Sequence, residues 1–240
     1  MPRTRRHIEA QMIYHVLNRG NGRRVLFSKE ADFLAFLKLL RQGLERFPVD
    51  LLAFCLMPNH WHLLLRPRTD DALSRLMAWV TVTHARRHHM HYPNPGSGHL
   101  YQGRFKSFPV QSDEHFLTVA RYIHSNPLRA GPTQRAEGWR WSDAVPANAA
   151  GLPMAAWPVQ RPDNWMGLIH QTFDSGQEAL LAKSLRRGTP FGSTAWVTRT
   201  AGRLDLKSTL RPRGRPKQPL AALSPKYRRV RQKMEADKST

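Results

Sequence analysis

The segment Met57-Pro58-Asn59-His60-Trp61-His62 sets two imidazoles two residues apart, at the head of the apolar run Leu63-Leu64-Leu65. On an extended strand that spacing turns both rings to one face and Trp61 to the other. Two nitrogens on one rigid edge are half of a site for a divalent ion. A second segment, Arg121-Tyr122-Ile123-His124-Ser125-Asn126-Pro127, supplies a phenol and a carboxamide four residues apart. One helical turn separates them, so Tyr122 and Asn126 share a helix face while His124 points elsewhere. The Asn126 carbonyl suits Mg²⁺ or Mn²⁺, and imidazoles sit more comfortably with Mn²⁺. Zinc is the alternative, although no cysteine lies near the pair. Such an ion would polarise a phosphate. Tyr122, a weak nucleophile with a pKa of about 10, would then attack it and leave a phosphotyrosine link. The same residue types also serve plain structural ends, as packed imidazoles and a core tyrosine with its hydroxyl at the edge.

Charge points to the substrate of that chemistry. The 240 residues hold 38 Lys and Arg against 17 Asp and Glu, a net +21. That excess calls for a polyanionic partner and salt-sensitive binding. No apolar run reaches the roughly 20 residues of a membrane span. The basic start, Met1 to His7, lacks a secretory signal's apolar segment. A cytoplasmic, nucleoid-associated protein is expected. Cys55, the single cysteine, reads as a small core hydrophobe. For phosphate contacts the candidates are His15 on the first strand, Arg19 beside a glycine turn, and Arg104 with Lys106 on one strand face. His84, His88, His89 and His91 read as a surface group.

Strands are expected at Ile13–Asn18, Val49–Leu56, His60–Leu65 and Gly103–Val110. Helices are expected from near Lys29 to Leu44, from Asp70 or Asp71 to about His89, and from Glu114 to Ser125, the last closed by Asn126-Pro127. The first helix would bury Phe33, Phe36, Leu37, Leu40 and Leu44, and the second would turn Leu73, Leu76, Met77, Val80 and His84 inward. This β-α-β-β-α-β order followed by a helix is α+β, the ferredoxin-like split βαβ arrangement. Its antiparallel sheet would carry helices on one face and leave the other for a ligand or partner.

We divide the chain into a catalytic part, 1–144, a linker and helical extension, 145–204, and a basic tail, 205–240. Val145 to Pro162 reads as a linker or extended wrap, with short helices at Ser175–Arg187 and Ser193–Leu204. The tail carries Leu210-Arg211-Pro212-Arg213-Gly214-Arg215-Pro216-Lys217, whose prolines forbid a regular helix. An extended arm is expected there, with Arg211, Arg213, Arg215 and Lys217 as DNA contacts, either by arginines inserted into a narrow minor groove or by charge alone.

Four segments together resemble the IS200-like single-tyrosine (HUH, Y1) transposases, and most nearly their REP-associated branch. They are Tyr14-His15-Val16-Leu17-Asn18-Arg19-Gly20, Met57 to His62, Tyr101-Gln102-Gly103-Arg104-Phe105-Lys106-Ser107, and Tyr122 to Gly131, spread over about residues 8 to 140. The resemblance implies a ferredoxin-like enzyme that cleaves and rejoins single-stranded DNA bearing hairpins or palindromic repeats. It puts His60 and His62 on the paired metal ligands, Asn126 on the third, and Tyr122 on the nucleophile, which is joined to a 5′ phosphate. It also implies a monomer or a homodimer, the branch including monomeric forms. Two rivals share the charge pattern. One is a domesticated or inactive DNA-binding regulator that keeps the fold, against which the intact site residues speak. The other is an RNA-binding sheet, which would display aromatics on its open face.

Overall fold

The structure is a computed structural model and describes residues 7–93, 98–149 and 151–211. Four strands carry it: β1 (Ile13–Arg19), β2 (Val49–Met57), β3 (His60–Pro67) and β4 (Lys106–Val110). All neighbours are antiparallel, in the order β2-β3-β1-β4. The helices are α1 (Glu30–Arg46), α2 (Ala72–His91), α3 (Glu114–Ala130), α4 (Trp165–His170), α5 (Ser175–Arg187), α6 (Thr194–Arg203) and α7 (Lys207–Leu210). The described residues up to Leu210 belong to one compact unit.

Alternation along the strands sorts the side chains into two cores. Tyr14, Val16, Phe54, Leu56, Trp61 and Leu63 face α1 and α2. The α1 residues buried there include Phe33, Phe36, Leu37, Leu40 and Leu44, as their spacing predicts. The two helices approach so closely at Gly43 that a Cβ there would lie 2.7 Å from Leu76 Cδ1. Trp61 is fully buried in this layer, and its indole N–H donates to the Tyr101 hydroxyl (3.2 Å). Tyr101 in turn meets His84 Nδ1 at 2.6 Å. His84 is therefore a core residue, which corrects its reading as part of a surface group. Burial pulls its pKa down to about 3.

The second core joins Ile13, Cys55, Met57, Leu64, Phe108 and Val110 to α3 and α4. The sheet face expected to lie open is thus covered. Cys55 packs inside this core with no solvent exposure. Two boundaries also differ from expectation. β4 starts at Lys106, leaving Arg104 in the preceding bend, and α3 runs through Pro127 to Ala130. Proline removes one N–H but cannot end a helix whose far turn is held by packing. Asn126 and Pro127 are both buried, and Ser125 Oγ and Asn126 Nδ2 donate to the Tyr122 carbonyl (3.2 and 2.9 Å). Gly131, at φ 83°, ends the helix in the left-handed conformation that glycine adopts without strain.

The segment after Trp139 is a wrap. Along the outer edge of β2, Leu56 N donates to Trp141 O (2.8 Å), Ala155 N to Leu51 O (2.8 Å) and Trp157 Nε1 to Leu52 O (2.7 Å). At the other edge Phe191 N donates to Pro109 O, and Gln111 N to Phe191 O (2.8 and 2.9 Å). A buried acid anchors α3 to this wrap. Asp143 Oδ1 accepts from Phe54 N (2.6 Å) and His124 Nε2 (2.9 Å), and Trp165 Nε1 donates to His124 Nδ1 (3.0 Å). Indole is a donor only, so the His124 proton sits on Nε2. His124 is structural, as its place on the helix indicated.

Candidate active site

His60 and His62 leave β3 on the face that α3 covers. Their register partners on β1 are Arg19 and Leu17. Each imidazole is aimed by a neighbour. His60 Nδ1 meets Asn59 Oδ1 at 2.7 Å, so the tight Pro-Asn turn also orients the ring. His62 Nδ1 meets His15 Nε2 at 2.8 Å, with the two rings nearly parallel at an interplanar angle of 8°. That bond commits one nitrogen of His62 and leaves the other, Nε2, buried with no hydrogen-bond partner among the described residues. An unpaired buried nitrogen costs stability unless something occupies it.

α3 brings Tyr122 and Asn126 to the same place. The Tyr122 ring centroid lies 5.7 Å from that of His62 and 6.3 Å from that of His15, both edge-on. The Asn126 side chain interacts with both His60 and Tyr122. The four residues singled out for chemistry are thus assembled from a strand and a facing helix, with His15 behind them.

Electrostatics keep the imidazoles neutral. Burial, aided by the Arg19 charge, lowers His60 to about 4 against the opposing effect of Asn126. Burial alone takes His15 to about 3, and burial with the neighbouring histidines holds His62 well below its usual value. Neutral imidazole is the form that binds a metal. Burial raises the pKa of the Tyr122 phenol, while Arg129 and the Asn126 contact oppose the rise. Two imidazole nitrogens and a carboxamide oxygen, one nitrogen buried and unpaired, fit a divalent ion.

Arg129 was missed by sequence reasoning. Its guanidinium lies 5.7 Å from the Tyr122 ring centroid and is ion-paired with Glu178 of α5. The seven-residue spacing from Tyr122, two turns along one face, was the available signal. Nothing in the sequence marked Phe173, whose ring centroid lies 6.4 Å from that of Tyr122. Of the remaining phosphate-contact candidates, Arg19, Arg104 and Lys106 are exposed, and Lys106 pairs with Leu17 on the strand beside His62. Arg211 is exposed. Arg213, Arg215 and Lys217 lie outside the described residues.

A separate group, Asp113, Glu114 and His115, has its donor atoms within 4.8 Å of one another and could coordinate a divalent metal. Asp113 Oδ1 accepts there from His115 N (2.9 Å) and meets His115 Nδ1 at 2.7 Å, which is how it caps α3. Eight residues of helix, about 12 Å, separate Glu114 from Tyr122.

An antiparallel α+β domain with a histidine pair facing a helical tyrosine defines a class, and the sequence comparisons name it. Residues 9–126 match the family model described as "Transposase IS200 like". The chain belongs to this single-tyrosine transposase family and is related to its REP-associated branch. One relative is the "Putative REP-associated tyrosine transposase" of Haemophilus influenzae, 25% identical over 118 residues. That match covers 45% of this chain and 65% of the relative, so just under two thirds of the relative is spanned. Among solved structures, a REP-associated tyrosine transposase bound to a REP hairpin aligns at TM-score 0.48 and 20% identity, covering 67% of this chain and 95% of that one. A "putative transposase" from Deinococcus radiodurans aligns at TM-score 0.36 and 24% identity, covering 51% of this chain and 95% of that one.

Proposed function

We propose that this protein is a metal-dependent single-tyrosine transposase or endonuclease that cleaves and rejoins hairpin-bearing single-stranded DNA. Family membership implies DNA cleavage. The observation that carries the finer reading is the buried Nε2 of His62, which has no hydrogen-bond partner among the described residues and belongs to a ring held by His15 and centred 5.7 Å from that of Tyr122. The strand order β2-β3-β1-β4 with its helical crossovers is the order of a ferredoxin-like split βαβ domain, and we read the fold so.

In this reading the Tyr122 hydroxyl attacks the scissile phosphorus. A bond forms from its oxygen to phosphorus and the bond to the 3′ oxygen breaks. The strand is left on the tyrosine through its 5′ phosphate; the phenol gives up its proton and the departing 3′ oxygen takes one up. Rejoining is the reverse attack by a 3′ hydroxyl. His60, His62 and Asn126 would hold a Mg²⁺ or Mn²⁺ ion, which would supply Lewis-acid polarisation of the phosphate. His15 fixes the tautomer and plane of His62, as partners of metal-bound histidines do. Asn59 does the same for His60. Arg129, two turns from Tyr122, and Arg19, beside His60, add positive charge where the phenolate and phosphate charge develops. Arg104 and Lys106, both exposed, serve as further phosphate contacts in this reading. We assign 1–144 to catalysis, 145–204 to support of α3 and 205–240 to holding DNA by charge, which places the protein's work at the nucleoid.

The test is incubation with labelled hairpin-bearing single strands and Mg²⁺ or Mn²⁺. A DNA–protein adduct stable to denaturant is expected from the native chain and none from Tyr122→Phe, at similar DNA affinity. An adduct that persists in Tyr122→Phe refutes the assignment of the nucleophile.

A further inference from the structure

On the opposite side of the sheet, between α1 and the end of α2, the structure holds a cavity of about 220 Å³. At about 30 Å³ per water this is the space of about seven waters. It is too large for a lone ion and is suited to one aromatic heterocycle. Its floor is apolar, from Leu26, Ala31, Ala35 and Leu39. Its rim holds rings and cations: Tyr92 and His88, with centroids 4.9 Å apart, beside Lys29, Arg87 and His91.

The polar groups are unevenly committed. Asp32 is the one acid in the lining, and its Oδ2 already accepts from Ser28 N, Lys29 N and the Tyr92 hydroxyl (2.8, 3.1 and 2.7 Å). Lys29 Nζ sits 2.8 Å from His91 Nε2 and 5.5 Å from the Tyr92 ring centroid. Arg87 makes no hydrogen bond or ion pair among the described residues, and His88 Nδ1 is buried without a partner. The site therefore offers an apolar slot with aromatic walls, one unsatisfied ring nitrogen inside and a free guanidinium at the mouth. A flat base bearing an anion matches each of these features: the slot takes its faces, the nitrogen its polar edge, and the guanidinium its phosphate.

We propose that this cavity binds one nucleotide, with the base inserted between α1 and α2 and the phosphate on Arg87 and Lys29. The inference does not depend on the cleavage reading. The nucleotide could belong to a bound strand or be free. Leu26 ties the cavity to the catalytic side, because its N–H donates to Pro58 O (2.7 Å), two residues before His60. The proposal also gives a role to the histidine-rich end of α2, which the site around Tyr122 leaves unused.

The experiment titrates the full-length chain by calorimetry with the four deoxynucleoside 5′-monophosphates, inorganic phosphate and a short single-stranded oligonucleotide. We expect saturable binding of at least one monophosphate, at least about tenfold tighter than inorganic phosphate. Ala35→Phe, which puts a ring into the slot from an exposed helix position, and Arg87→Glu should each weaken it about tenfold or more. Melting temperatures should stay near that of the native chain. If the oligonucleotide competes with the monophosphate and loses affinity in both variants, the ligand is a nucleotide of a bound strand. If oligonucleotide affinity is unchanged while the monophosphate is lost, the ligand is a free nucleotide. No saturable monophosphate binding overturns the proposal. So does binding that Arg87→Glu leaves intact, or inorganic phosphate binding as tightly as the nucleotides. Should Ala35→Phe misfold, Arg87→Glu alone decides.

Discussion

Replacing Asp143 by alanine asks what holds the tyrosine-bearing helix against the sheet. The Asp143 side chain is 6% exposed and that of His124 is fully buried. Alanine would strip the acceptor from two buried donors, Phe54 N and His124 Nε2. A buried donor left unpaired costs about 1–3 kcal/mol, so the two together should cost about 4 kcal/mol. That is a large share of a total stability of about 5–15 kcal/mol. Asparagine keeps an oxygen that can accept both bonds, and should cost less than about 1.5 kcal/mol. Urea unfolding followed by tryptophan fluorescence reads the difference, since Trp165 donates into the same network. With a slope of about 3 kcal/mol per molar, the midpoint should fall by about 1.3 M for alanine and by less than about 0.5 M for asparagine. His124 lies two residues from Tyr122 and two from Asn126, so the asparagine variant should also keep DNA cleavage while the alanine variant loses it. A midpoint within about 0.3 M of native for Asp143→Ala, at unchanged slope, refutes the anchoring argument.

Further outcomes are expected. His15→Phe keeps a ring beside His62 but removes its hydrogen bond, and should weaken Mn²⁺ binding and cleavage by about 10- to 100-fold with little change in DNA affinity; equal Mn²⁺ affinity by calorimetry refutes the orienting role. His84 has its pKa lowered from 6.5 to about 3 by burial, so the unfolded chain takes up a proton that the folded chain refuses. Its contribution is intact above about pH 6.5 and is lost by about 1.4 kcal/mol per unit as pH falls toward 3. His84→Gln should flatten the stability profile between pH 6 and 4 by that amount, and an unchanged slope counts against it. Gly43→Ala should cost about 1–3 kcal/mol by driving a methyl into Leu76, which thermal unfolding will show or deny. Deleting residues 205–240 should weaken DNA binding and lessen its dependence on salt, because phosphate neutralisation is lost; an unchanged salt slope removes the tail from the binding model.

Much of the site was legible because its parts are local. Two-residue spacing on a strand put His60 and His62 on one face, and four-residue spacing on a helix did so for Tyr122 and Asn126. Short apolar runs bounded by turn residues exposed the strands, and the three- and four-residue period exposed α1. What stayed hidden depends on distance in sequence or on packing. The Arg129–Glu178 pair spans 49 residues, and no local rule selects it. Pro127 reads as a stop in isolation, yet buried neighbours carry the helix past it. His84 shows the conflict between two rules: its helical period placed it inward, whereas its membership in a histidine-rich run suggested the surface. The covered sheet face followed from α3 and α4 together, and α4 is too short for its period to be recognised.

Both outer strands are finished by residues far along the chain: β2 by Ala155 and Trp157, β4 by Phe191. A fragment stopping at residue 144 would carry His60, His62, Tyr122 and Asn126 and still present bare carbonyls at Leu51, Leu52 and Pro109. Such rims recruit foreign strands. Shortened forms of this protein should therefore clump, and the stretch that seals the rims must be inherited along with the candidate site.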